Sequence, residues 1–206
     1  VEDVLRRIGV TVLAALTAVA ALTGTALAVP QLTSTAEAAP PPAAAVQPVT
    51  FNALSELMIQ RILIGDDVAA SKYFSGKPVD DPVREQQILD SVRASAVQLG
   101  IDPDATAAFF RAQIEASKVV QRGLLAYWAT HPSKAPTTGP DLNVIREKLD
   151  TLTTQLLAGL VRVDDLRSSG LRCTISLVVA DATGAAHHHL DHLHRQALRT
   201  ASATVC

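Results

Sequence analysis

The 206-residue chain carries 18 Lys and Arg against 20 Asp and Glu, a formal net charge of −2, with only 3% aromatic residues. It has neither the basic excess that binding a phosphate backbone requires nor the rings for stacking on bases, which argues against a nucleic-acid partner. The length, with a removable leader at the front, suits one domain of roughly 150 residues with a sizeable core.

The N-terminus reads as a secretory signal peptide over residues 1–38. Arg6-Arg7 is followed by an apolar run from Ile8 to about Leu22, then by small residues closing at Ala26-Leu27-Ala28 and again at Ala36-Glu37-Ala38, so cleavage is expected after Ala38 or Ala28. The apolar stretch to Val29 approaches the length of a membrane span, but the two Ala-x-Ala sites favour cleavage, and no stable anchor is expected afterwards. Ile8, Gly9 and Val10 lack the bulky pattern that would make the twin arginines an export signal for folded protein. The destination is therefore secreted or periplasmic. Residues 39–50, rich in Ala and Pro, have nothing to bury and read as a flexible tether before a domain at 51–206.

From Phe51 onward the signals are helical. Leu54, Leu57, Arg61 and Ile64 share a face, and a shorter segment runs from about Val68 to Phe74. Asp81-Pro82 sets a capping residue before a proline, the favoured start of a helix carrying Ile88, Val92, Ala96 and Leu99 on one face; Asp102-Pro103 repeats the device. The next helix holds an apolar seam, Phe110, Ile114, Leu124 and Trp128, interrupted by Ser117 and Gln121, and should stop before Pro132. After a loop with three prolines, Asp141 caps a long amphipathic helix through Leu142, Ile145, Leu149, Leu152, Leu156 and Leu160, and two further helices fit Cys173–Ala182 and Ala186–Ala203. No stretch alternates as a strand does, so the domain is all-α, with about six helices.

A Ser-Gln pair inside an apolar seam needs partners. Arg61, Lys72, Arg84 and Arg146 supply cations on the expected helices, and Asp81 and Glu85 add carboxylates four residues apart. Together they suggest a pocket for a small dianion. No Ser or Cys stands with a His and a carboxylate in a nucleophile arrangement, and there is no Gly-rich phosphate loop, so covalent and phosphoryl chemistry have no support. The set is dominated by donors, which suits charge stabilisation better than proton transfer. Export makes the two cysteines, Cys173 and Cys206, read as a disulfide worth about 3–4 kcal/mol in the chain-entropy model, with two free buried thiols as the alternative. The run from His187 to His194 invites a metal reading, because His188 and His192 lie one turn apart, but it lacks a glutamate base and a third ligand at metalloprotease spacing; no metal is expected.

The order Arg61, Lys72, Lys77-Pro78-Val79, Asp81-x-x-Arg84-Glu85, Ser117-x-x-x-Gln121 resembles the all-helical AroQ-type chorismate mutases. Arg146, the C-terminal helices, the cysteine pair and the leader are similar to the secreted gamma subclass, over roughly Leu54 to Cys206. The resemblance implies an isomerase that converts chorismate to prephenate by a [3,3] sigmatropic rearrangement, with no cofactor and no covalent intermediate. By the same analogy Arg61 and Arg146 would grip the two substrate carboxylates, with Arg84 assisting and Ser117 bonding a carboxylate. Lys72 and Gln121 would be the catalytic donors to the ether oxygen, and Asp81 and Glu85 would meet the ring hydroxyl. A homodimer with a complete site in each chain is implied. The rival within the fold is an isochorismate pyruvate lyase, and from another class a noncatalytic exported helical binding protein. Asp81 has a structural alternative as a helix cap, Arg146 could pair with Asp150, and Ser117 and Gln121 could satisfy each other.

Overall fold

The computed structural model describes residues 49–206. The expected leader, its cleavage sites and the tether up to residue 48 lie outside the described residues. Six α-helices follow: α1 Asn52–Ser75, α2 Pro82–Leu99, α3 Pro103–Thr130, α4 Leu142–Arg167, α5 Leu171–His187 and α6 His192–Ser202, with a single 3-10 turn at Pro132–Lys134. Among the described residues there is no strand, and no helix is long and apolar enough to cross a membrane.

Local chemistry sets the helix ends. The Asp81 carboxylate accepts the Arg84 N–H ahead of Pro82, and Asp102 accepts from the N–H groups of Asp104 and Ala105 ahead of Pro103. Asp141 and Asp191 cap α4 and α6 in the same way. Gly76 and Gly100 close α1 and α2 at positive φ (65° and 72°), where a side chain would be strained.

Helix α3 forms the spine and packs against α1, α2 and α6, while α1 also contacts α4 and α5. Phe51, Met58, Ile59, Ile62, Leu89, Phe109, Phe110, Leu156 and Leu160 fill the core. Cys173 and Cys206 are bonded (Cα–Cα 5.9 Å), and Arg167 Nε donates to the Val205 carbonyl at 2.8 Å, so the chain end is fastened to both α5 and α4. The half-buried Asp181 accepts from Ser55 (2.6 Å) and Ser202 (2.5 Å), joining α1, α5 and α6; burial raises its pKa against the pull of the two hydroxyls.

Three expectations need correction. The segments foreseen at 54–64 and 68–74 are one continuous helix. Gly65 lets α3 come close, since a Cβ there would stand 3.1 Å from Val120, and the polar step after it is accommodated because Asp66 meets His194 at 2.9 Å. On α2 the buried stripe is Leu89, Val92 and Ala96; Leu99 is exposed, and Ile88 is half-buried. The last break falls at 188–191 rather than 183–185. His189 takes φ 50°, Leu190 N–H reaches back to the Ala185 carbonyl, and Asp191 starts the next helix.

Candidate active site

Helices α1, α2, α3 and α4 and the loop 76–81 enclose a cavity of about 480 Å³. That volume is ordinary for a small-molecule site. Its lining includes six cations (Arg61, Lys72, Lys77, Arg84, Lys118 and Arg146) and four carboxylates (Asp80, Asp81, Glu85 and Asp150), an excess of two positive charges. Seven of the eight residues singled out from sequence line it: Arg61, Lys72, Asp81, Arg84, Glu85, Gln121 and Arg146. Ser117 does not.

Arg61 is 5% exposed, and its Nη1 donates only a long bond, 3.4 Å, to the Leu149 carbonyl. Its buried Nε has no partner. Desolvation pushes its pKa down to about 10, and Asp150 offsets only part of this. A buried guanidinium left in this condition is a site prepared for an anion. Arg146 is exposed at the α4 wall and bonds Asn143 Oδ1 at 3.3 Å, so its sequence alternative, a pair with Asp150, is replaced by a weaker contact that leaves the fork free. Arg84 is also exposed.

Lys72, half-buried near the end of α1, donates to the Val79 carbonyl at 2.9 Å, leaving two of its hydrogens for a ligand. Burial lowers its pKa while Asp81, Asp80 and Glu85 pull it back up. Gln121 is 4% exposed; its Nε2 donates to Ser117 Oγ at 3.0 Å and its Oε1 has no partner. Turning the amide over exchanges the two atoms in the same space: Ser117 then donates to Oε1, and an N–H faces outward. Ser117 is therefore in contact with Gln121 and does not itself line the cavity.

Asp81 does serve as a helix cap through Oδ1, and its own N–H goes to Glu85 Oε1 at 3.1 Å. The other Glu85 oxygen accepts from Lys118 at 2.8 Å. Sequence reasoning missed Lys118 and Asp80. Lys118 is 7% exposed and stands on the face of Ile114 and Gln121, a spacing that could have marked it. Burial opposes its charge, but the bonds it donates to Glu85, Glu115 and Asp80 outweigh that and hold the ammonium above the ordinary lysine range.

The lining contains no cysteine or histidine, and among the described residues no group of His, Cys, Asp and Glu is placed to hold a metal. Within the His187–His194 run, His188 meets Glu56 and His194 lies between Asp66 and Asp191. Fold and site together define a helical-bundle protein with a cation-rich cavity of small-molecule size.

The chorismate mutase type II family profile matches residues 52–122. The chain is 35% identical over 153 residues to a secreted chorismate mutase of Mycolicibacterium smegmatis, spanning 74% of this chain and 84% of that protein. To the secreted chorismate mutase of Mycobacterium tuberculosis it is 30% identical, over 74% of this chain and 76% of the relative. The crystal structure of chorismate mutase from Burkholderia thailandensis superposes with a TM-score of 0.71 at 35% identity, covering 76% of this chain and 98% of that one. The chain belongs to the chorismate mutase family.

Proposed function

We propose that the chain is an isomerase that rearranges chorismate to prephenate. The observation that carries this reading is the buried Arg61, whose Nε has no partner, in a cavity with an excess of two positive charges, on the fold and in the family just described. The substrate is a dianion, and the reaction is unimolecular: the carbon–oxygen bond of the ether breaks as a carbon–carbon bond forms, and no atom enters or leaves. The protein has to hold a flexible molecule in its compact reactive shape. Arg61 and Arg146, on opposite helices, each offer a planar fork to one carboxylate, with Arg84 assisting.

As the ether bond stretches, negative charge gathers on its oxygen. Lys72, with two free hydrogens, and Gln121, with its amide turned N–H outward, donate to that oxygen and bind the transition state more tightly than the ground state. Ser117 fixes the Gln121 amide. The ring hydroxyl donates its one hydrogen to Glu85, with the second oxygen of Asp81 as the neighbouring acceptor.

The leader sequence, the disulfide and the likeness to secreted chorismate mutases support export and cleavage of residues 1–38. Arg61 and Arg146 line the same cavity within this chain, which supports a complete site per subunit. The exposed apolar residues Leu171, Ile175, Val178 and Val179 on α5 support a homodimer, testable by sedimentation.

The test is to incubate residues 39–206 with chorismate, follow substrate loss by absorbance and identify prephenate chemically. Lys72→Ala is expected to lower turnover by about 10²–10³. Folded, disulfide-bonded protein that leaves chorismate unchanged refutes the assignment.

A further inference from the structure

The Lys118 ammonium has three hydrogens, and they meet three carboxylates: Glu85 Oε2 at 2.8 Å, Glu115 Oε1 at 3.0 Å and Asp80 Oδ1 at 3.2 Å. These belong to α2, to α3 and to the loop before α2. Arg122, one turn along α3, grips the same Asp80 at 2.7 and 2.9 Å. The residue before Asp80 supplies the carbonyl that accepts from Lys72, and the residue after it sends its N–H to Glu85. Lys118 is therefore linked to Lys72 through the loop backbone, without touching it.

Charge points the same way. Lys72 faces Asp80, Asp81 and Glu85. Lys118 gives two of these three their own countercharge. Without it, Arg122 would still hold Asp80, but Lys72 would be left to answer Glu85 and Asp81, drawn toward the loop and away from the middle of the cavity.

We propose that Lys118 is a positioning residue: by neutralising Asp80 and Glu85 and pinning the 76–81 loop, it keeps the Lys72 ammonium directed at the ligand rather than at the protein's own carboxylates. The kinetic consequence rests on the rearrangement assigned above; the lock itself belongs to the unliganded chain.

Lys118→Met keeps the stem and removes the charge, and two measurements read the result. In ligand-free protein, the Asp81, Arg84 and Glu85 amides are expected to exchange hydrogen about tenfold faster than in wild type, because the loop and first turn of α2 lose their tether. With chorismate, kcat is expected to fall about 10- to 100-fold while KM stays within about threefold.

The variant's kcat should also recover in acid, since a proton taken up by the carboxylate cluster removes negative charge that competes for Lys72, with Asp81 and Arg122, which still grips Asp80, as the other charges facing it. Wild type should lack that inflection, and adding Asp80→Asn to the variant should restore part of kcat at neutral pH. Unchanged amide exchange overturns the lock. A kcat loss indifferent to pH and to Asp80→Asn overturns the electrostatic positioning and leaves a packing role. Wild-type protein that fails on chorismate refutes the reaction instead, and the exchange comparison still decides the lock.

Discussion

Replacing Arg61 with Met should stabilise the unliganded protein and abolish its activity. The guanidinium is buried, its Nε is unpartnered, and its pKa falls from 12.5 to about 10 through desolvation. At 1.36 kcal/mol per pKa unit, holding the charge there destabilises the folded state by about 3 kcal/mol. At neutral pH the group is still charged, so the full penalty applies. Met retains an unbranched apolar stem and loses the long bond to the Leu149 carbonyl, a loss of about 1 kcal/mol. The net gain of about 2 kcal/mol corresponds to a rise in Tm of about 4–8 °C for a domain of this size, read by circular dichroism on heating. Turnover of chorismate should fall by at least about 10³, because the missing fork takes both binding and orientation with it. A variant that melts below wild type would show that Arg61 holds the fold rather than waits for an anion, and the reasoning would fail.

His194 is held by Asp66 at 2.9 Å and Asp191 at 2.7 Å, and these partners raise its pKa from 6.5 to about 9. The folded state therefore binds the proton more tightly than the unfolded chain. The resulting stability, up to about 2 kcal/mol, is fully present below pH 6.5 and is lost as pH rises through about 9, and His194→Gln should flatten the fall in Tm over that window. An amide donates at any pH, so wild-type activity should vary little through neutrality, whereas Gln121→Glu should retain activity only in acid, where the carboxyl is protonated; a Gln121→Glu variant as active as wild type at pH 7 would remove Gln121 from the ether oxygen. Changing both Cys173 and Cys206 to Ser should lower stability in denaturant titrations by about 3–4 kcal/mol for a loop closed over a separation of 33 residues, with little effect on kcat.

The parts of this fold that were legible in the sequence are those decided within a few residues. Asp81-Pro82, Asp102-Pro103 and Asp141 each start a helix where the pattern placed them, and the α3 seam turns inward with Phe110 and Trp128 buried. Most of the site was legible too, because its cations stand on helix faces whose direction the periodicity fixes. What escaped depends on distant contacts. The continuity of α1 across Gly65 is explained by Val120 and His194, residues far along the chain. Lys118 gains its meaning only when the loop before α2 brings Asp80 within 3.2 Å. Ser117 was expected at the ligand, but it does not line the cavity and bonds Gln121, which does, since a seam shows which way a helix faces but not which of two adjacent turns reaches the cavity.

Every wall of the cavity is built from α1, α2, α3, α4 and one connecting loop of a single chain. A site assembled between subunits empties as the protein is diluted, because its population follows mass action. With a complete site in each subunit, as proposed above, specific activity should be independent of concentration down to the most dilute solution in which the disulfide-bonded chain stays folded, and a loss on dilution without unfolding would assign part of the site to a partner.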